Sequence, residues 1–157
     1  MENSALNVFR TSTFWAPFCA WVFAQSIKMA SSFRKTRRLD FRYLVSTGGM
    51  PSAHSAMAVA LATIIGIKDG FGSSIFVLAL AFAIVVMLDA SIVRRAAGQQ
   101  ATLLNQIVDE LLSGHRLSEQ KVVELLGHTR LEVFLGMFLG IFVGLMAWAV
   151  GVNLTAP

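Results

Sequence analysis

Three features of the chain predict an all-α, membrane-embedded helical bundle. Of its 157 residues, 55% are hydrophobic and only 14% are charged, against roughly 25% charged in soluble domains. So few charges cannot cover a globule of this size. Four apolar stretches approach the roughly 20 residues that cross a bilayer core as a helix. The thirteen Lys and Arg crowd between those stretches instead of spreading along the chain. The length fits one domain, residues 1–157. The apolar content excludes disorder, and the single Cys19 excludes a disulfide scaffold without reporting a redox compartment.

Residues 1–13 carry one basic and one acidic residue, and no small-residue cleavage pattern follows, so a cleaved signal peptide is not expected. The first span, 14–33, is the weakest because it contains Pro17, Gln25 and Lys28. Residues 34–42 (RKTRRLDFR) form a highly charged connection. The second span, 51–67, is short and opens with polar residues. The third, 73–93, is strongly apolar and carries Asp89 near its end. In residues 94–130, Leu103, Leu104, Ile107, Leu111 and Leu112 recur at helical spacing up to a stop at Ser113-Gly114. Ser118, followed by Glu119, Val122, Val123, Leu125 and Leu126, predicts a second short amphipathic helix. Both are expected on the membrane surface. The last span, 131–150, is the clearest.

Eleven of the thirteen basic residues fall in 28–42 and 94–130, on one side of a four-span chain, and only Arg10 and Lys68 lie elsewhere. The positive-inside rule makes that side cytoplasmic (or stromal), with both termini opposite. A basic phosphate-binding site would create the same asymmetry.

Three groups of residues at that face can carry chemistry. In Gly48-Gly49-Met50-Pro51-Ser52-Ala53-His54-Ser55-Ala56, two glycines allow close approach and Pro51 suits a helix start. Ser52 and Ser55 flank His54 at a helix N-terminus, where unpaired amides and the dipole favour an anion. A serine-capped helix start with an interfacial histidine fits the same residues. His128 and Glu132, four apart, share a helix face at the mouth of the last span. The carboxylate can hold one ring nitrogen and leave the other as base or nucleophile. An ordinary surface pair is the competing account, and the cost of an ionisable group beside lipid weighs against it. Asp89 with Arg94 and Arg95, and Asn105 further on, forms the third group. Arginine suits bidentate phosphate contact; a charged anchor neutralising Asp89 explains it equally well. His115 lies in a polar turn and is expected to be solvated. No ligand cluster predicts a metal, and basic residues without interleaved aromatics argue against nucleic acid.

At GGMPSAHSA, DASIVRRAAGQQATLLN and LLGHTRLEV the sequence resembles the PAP2 superfamily of acid phosphatases, lipid phosphatases and vanadium haloperoxidases. It is most similar to the small divergent PAP2 branch, the YuiD-like (DUF212) proteins. The resemblance implies a PAP2-like helical core and a phosphoric ester hydrolase without a cofactor. It makes His128 the nucleophile that forms a phosphohistidine, Glu132 its orienting carboxylate, and His54 the acid for the leaving oxygen. Ser52, the backbone around Ala53, and Ser55 would cradle phosphate, with Lys28 matching the first-motif lysine. Asp89 and Asn105 would lend support. The chain departs from the superfamily pattern of Lys-x6-Arg-Pro, Pro-Ser-Gly-His and Ser-Arg-x5-His-x3-Asp. Lys35 stands where the first arginine is expected, Ala53 replaces glycine, and Val122 occupies the third-motif arginine position. Arg94 or Arg95 could supply that charge, and Arg34, Arg37, Arg38 and Arg42 remain candidates for the first.

The expected activity is hydrolysis of a membrane lipid phosphate monoester or diphosphate. The alternative is a non-catalytic membrane protein that binds phosphate or lipid through a degenerate site. Gly136, Gly140 and Gly144 form a small-residue ladder on one helix face. It predicts either self-association through the last span or close packing on an internal helix such as 51–67.

Overall fold

A computed structural model describes residues 8–37, 49–112 and 128–155. The expected stop at Ser113-Gly114, His115, the second amphipathic helix, Arg38 and Arg42 lie outside the described residues. Among the described residues the secondary structure is helical throughout, as the composition predicts.

Helix α1 spans Ser12–Thr36, with Thr11 as its N-cap; the Thr11 hydroxyl accepts from the Phe14 N–H at 3.3 Å. Helix α2, Ala53–Asp69, is capped by Ser52 and ends at Gly70, whose φ of +89° suits a residue without a side chain. Helix α3, Ser74–Leu88, starts at the Ser73 cap and runs into a π-helical turn, Asp89–Val93. Helix α4, Arg94–Leu112, follows without a break. Helix α5 covers Arg130–Thr155. The expected division between a span ending at 93 and a separate surface helix is therefore a π turn inside one continuous helical path. Such turns keep the backbone hydrogen-bonded while shifting register.

Two helical stretches, Ser74–Asp109 and Arg130–Gly151, are long and apolar enough to cross a membrane. Helices α1 and α2 fall short of that measure. Helix α2 has 17 residues, and α1 interrupts its apolar run with Gln25 and Lys28.

The packing is inverted relative to a soluble bundle. Large side chains point outward: Leu78, Phe82, Phe138 and Phe142 are each more than half exposed. The interior is built of alanine, including Ala16, Ala20, Ala24, Ala56 and Ala60, all fully buried. An apolar exterior of this extent belongs in lipid, where helices associate through close contact of small residues.

Central α2 packs against α1, α3 and α5. Against α5 the fit is tight. A side chain at Gly140 would meet the Val59 Cβ at 2.9 Å, and one at Gly144 the Thr63 Cβ at 2.8 Å. One at Gly136 would run into the Ser52 carbonyl. The glycine ladder is thus filled by α2 of the same chain, so a second copy has no access to that face without displacing α2. Of the two partners the sequence left open, the internal one occupies it. The pairing of Gly136 with Ser52, Gly140 with Ala56 and Gly144 with Ala60 also makes α2 and α5 parallel. Both N-termini lie at one end of the bundle.

Candidate functional site

Three packing stripes of period four converge at that end, and each finishes in a polar residue. On α1, buried Ala16, Ala20 and Ala24 are followed in register by Lys28, 4% exposed. On α2 the stripe of Ile64, Ala60 and Ala56 leads back to Ser52, all four fully buried. On α5 the ladder of Gly144, Gly140 and Gly136 leads back to Glu132 and His128. A helix face repeats nearly every four residues. The packing that buries the small residues therefore also carries the polar ones inward.

The resulting contacts are specific. The Ser52 N–H donates to the Glu132 carbonyl at 3.0 Å, tying the start of α2 to the first turn of α5. The His128 N–H donates to the Ala90 carbonyl at 3.1 Å, which ties the π turn that follows Leu88 to the start of α5. Lys28 lies within electrostatic reach of Glu132, and its side chain passes Gly49.

His128 is 2% exposed, and its Nδ1 lies 3.1 Å from Glu132 Oε2. The same carboxylate oxygen accepts from the Thr129 N–H at 2.8 Å, while the Thr129 hydroxyl accepts from the Glu132 N–H at 3.3 Å. This reciprocal pair is a capping box, Thr-x-x-Glu, at the start of α5. Glu132 therefore serves the helix terminus and the histidine together. The capping box is legible in the sequence as Thr129-x-x-Glu132 ahead of an apolar run, beside the histidine–carboxylate spacing.

At the other N-terminus, the Ser55 hydroxyl donates to Ser52 Oγ at 3.0 Å, and the Ser55 N–H lies 3.4 Å from the same oxygen. The Ser52 amide is engaged by Glu132, so an anion bound here would draw on the Ser52 and Ser55 hydroxyls and the first-turn amides at Ala53 and His54. His54 is half-buried on the first turn of α2. Two parallel helix dipoles thus direct positive potential at one place.

Not every expected residue enters this cluster by a described contact. Asn105 is buried on α4 on the face it shares with Gly98 and Ala101. The side chains of Arg94 and Arg95 lie outside the described residues, and their backbones open α4 directly after the π turn. Gln25, three residues before Lys28, interrupts the apolar run of the first span and is nevertheless 4% exposed. Its spacing from Lys28 was the available signal. Among the described residues no three His, Cys, Asp or Glu side chains gather as metal ligands. Lys68 lies at the opposite end of α2, with its Nζ 3.3 Å from Ser12 Oγ.

Residues 9–143 match the Divergent PAP2 family. The chain is 41% identical over 128 residues to the uncharacterized membrane protein YuiD of Bacillus subtilis, covering 74% of this chain and 81% of that protein. No solved structure matches. The membrane-type bundle, the family match and this relative agree: the chain is a membrane protein of the PAP2 superfamily and belongs to its divergent PAP2 family.

Proposed function

We propose that the protein is a membrane lipid phosphatase that cleaves a phosphate monoester or diphosphate through a phosphohistidine. The observation that carries this reading is the His128–Glu132 pair, set beside the Ser52-capped N-terminus of α2 and buried Lys28. With the Nδ1 proton held by Glu132, the Nε2 lone pair of His128 is the nucleophile. It attacks phosphorus, the bond to the leaving oxygen breaks, and His54 protonates that oxygen. Water then attacks the phosphohistidine, releasing inorganic phosphate and restoring neutral His128. Phosphoryl transfer is catalysed mainly by positioning and charge neutralisation. Lys28 and the paired helix N-termini supply these, with Arg94 and Arg95 as further candidates. The phosphate approaches from the basic, cytoplasmic (or stromal) face while the lipid tail stays in the bilayer.

Purified protein incubated with phosphatidate, phosphatidylglycerophosphate and polyprenyl diphosphate, with and without vanadate, tests the reading. Phosphate release that vanadate inhibits is the expected result. Retention of these lipids with no release would instead assign the non-catalytic, phosphate-binding alternative. Labelling of single introduced cysteines tests the orientation. Residues 34–42 should react from the cytoplasmic side and Lys68-Asp69-Gly70 from the other. The reverse pattern would place the site on the far face.

A further inference from the structure

A further feature of the described residues lies at the far end of the bundle, away from His128. There α1 and α5 separate, and a groove of about 700 Å³ opens between them. Its walls are apolar and largely aromatic: Trp15, Phe23, Phe142, Met146 and Trp148 line it, with Cys19 at mid-length. Trp15, Phe23, Phe142 and Met146 are each 46% or more exposed, so the groove opens sideways along the surface that faces lipid. From Ser12 to Phe23 it runs about 16 Å along α1 at the rise of an α-helix. That length and volume suit an alkyl chain, and the volume falls within the roughly 300–1,000 Å³ of small-molecule sites.

The mouth of the groove is cationic. Arg10 and Lys68 line it together with Thr11 and Ser12. These are the two basic residues of the chain that lie outside residues 28–42 and 94–130. Lys68 reaches across from α2 to Ser12 Oγ at 3.3 Å, so its charge is held at the first turn of α1. Trp15 is fixed there as well, its Nε1–H donating to the Phe9 carbonyl at 2.7 Å. Tryptophan prefers the depth at which headgroups meet chains. Asp69, exposed at the end of α2, does not line the groove.

We propose that this groove is a binding site for an acidic membrane lipid, distinct from the His128 site. One acyl chain lies between α1 and α5, and the anionic headgroup sits between Arg10 and Lys68. Charge complementarity at the mouth selects the headgroup, while the apolar walls accept any chain of suitable length. The site does not depend on hydrolysis at the other face.

Cys19, the single cysteine, reports occupancy without any substitution. The full chain in mild detergent is treated with N-ethylmaleimide while phosphatidylglycerol or phosphatidylcholine is titrated in. Phosphatidylglycerol should slow the modification at a roughly tenfold lower mole fraction than phosphatidylcholine, as expected for two cations near a headgroup. The double variant Arg10→Gln/Lys68→Gln should bring the two curves together, as should molar salt, which shortens the screening length to about 3 Å. Brominated-chain versions of both lipids, read by quenching of tryptophan fluorescence, should give the same order. Equal protection by both lipids, or a preference that survives the double variant, overturns the proposal. Protection should be unchanged in His128→Ala, so failure of the phosphatase reading and failure of this one are separable.

Discussion

Helix α5 packs against α2 and against α1 in different ways. Toward α2 it presents Gly136, Gly140 and Gly144, and a side chain added at any of them would come within 3.0 Å of a neighbouring atom. Toward α1, near its C-terminal end, it presents Ala147 and Gly151, and a Cβ added at Gly151 would find its nearest neighbour, Ser12 Oγ, at 3.6 Å. The first seam is closed by backbone-to-backbone contact and carries the His128 cluster at its end. The second widens into the groove. Small residues therefore do not by themselves mean tight packing. They permit close approach, and the facing surface decides whether it happens. On α2 that surface is Ser52, Ala56 and Ala60; on α1 it includes Trp15.

The difference can be broken first at the chemistry. His128→Ala should lower phosphate release by at least about 10⁴-fold, as loss of a covalent nucleophile does in other enzymes. The fold should persist, because the side chain lies beyond the glycine seam. His54→Ala should also abolish turnover, and near-normal turnover in either variant would remove the mechanism assigned here.

Next comes the seam itself. Gly140→Leu forces a branched side chain against Ala56 and Val59 and should destabilise the bundle by about 3 kcal/mol or more, at the upper end of overpacking costs. Gly151→Ala should be neutral within about 0.5 kcal/mol, as ordinary van der Waals space would predict. Thermal unfolding in one detergent compares the two. Equal effects would mean that both sides of α5 are packed alike.

A finer comparison separates the two duties of Glu132. Glu132→Gln should reduce turnover by about 10²- to 10⁴-fold, because the amide cannot hold the His128 tautomer as a carboxylate does. Thr129→Ala removes the hydroxyl half of the capping box and should cost about 1 kcal/mol of stability with turnover largely kept. If Thr129→Ala lowered turnover as much as Glu132→Gln, the carboxylate would be acting through the helix terminus alone.

The smallest expected effect is at Ser73, whose hydroxyl caps α3 by accepting from the Phe76 N–H at 3.2 Å and which does not line the groove. Ser73→Ala should cost about 1 kcal/mol with no change in turnover or in lipid protection of Cys19.

Much of this was legible in the residues. Sparse charge and long apolar runs determined the all-α membrane class, and the runs 14–33, 51–67 and 131–150 lie within a few positions of helices α1, α2 and α5. The spacing of His128 and Glu132 placed them on one face, where the two side chains meet. These are local properties, set by the period of a helix and by the cost of burying charge. The sequence by itself also contained the stripes Ala16-Ala20-Ala24-Lys28, Ser52-Ala56-Ala60 and Glu132-Gly136-Gly140-Gly144. Which stripe faces which was decided only by the tertiary structure. The choice depends on the fit of two surfaces distant in the chain, and a small-residue ladder is equally complementary to any other until one is brought against it. That choice made α2 and α5 parallel, joined Ser52 to Glu132, and left α1 and α5 to part around a groove that no single helix specifies.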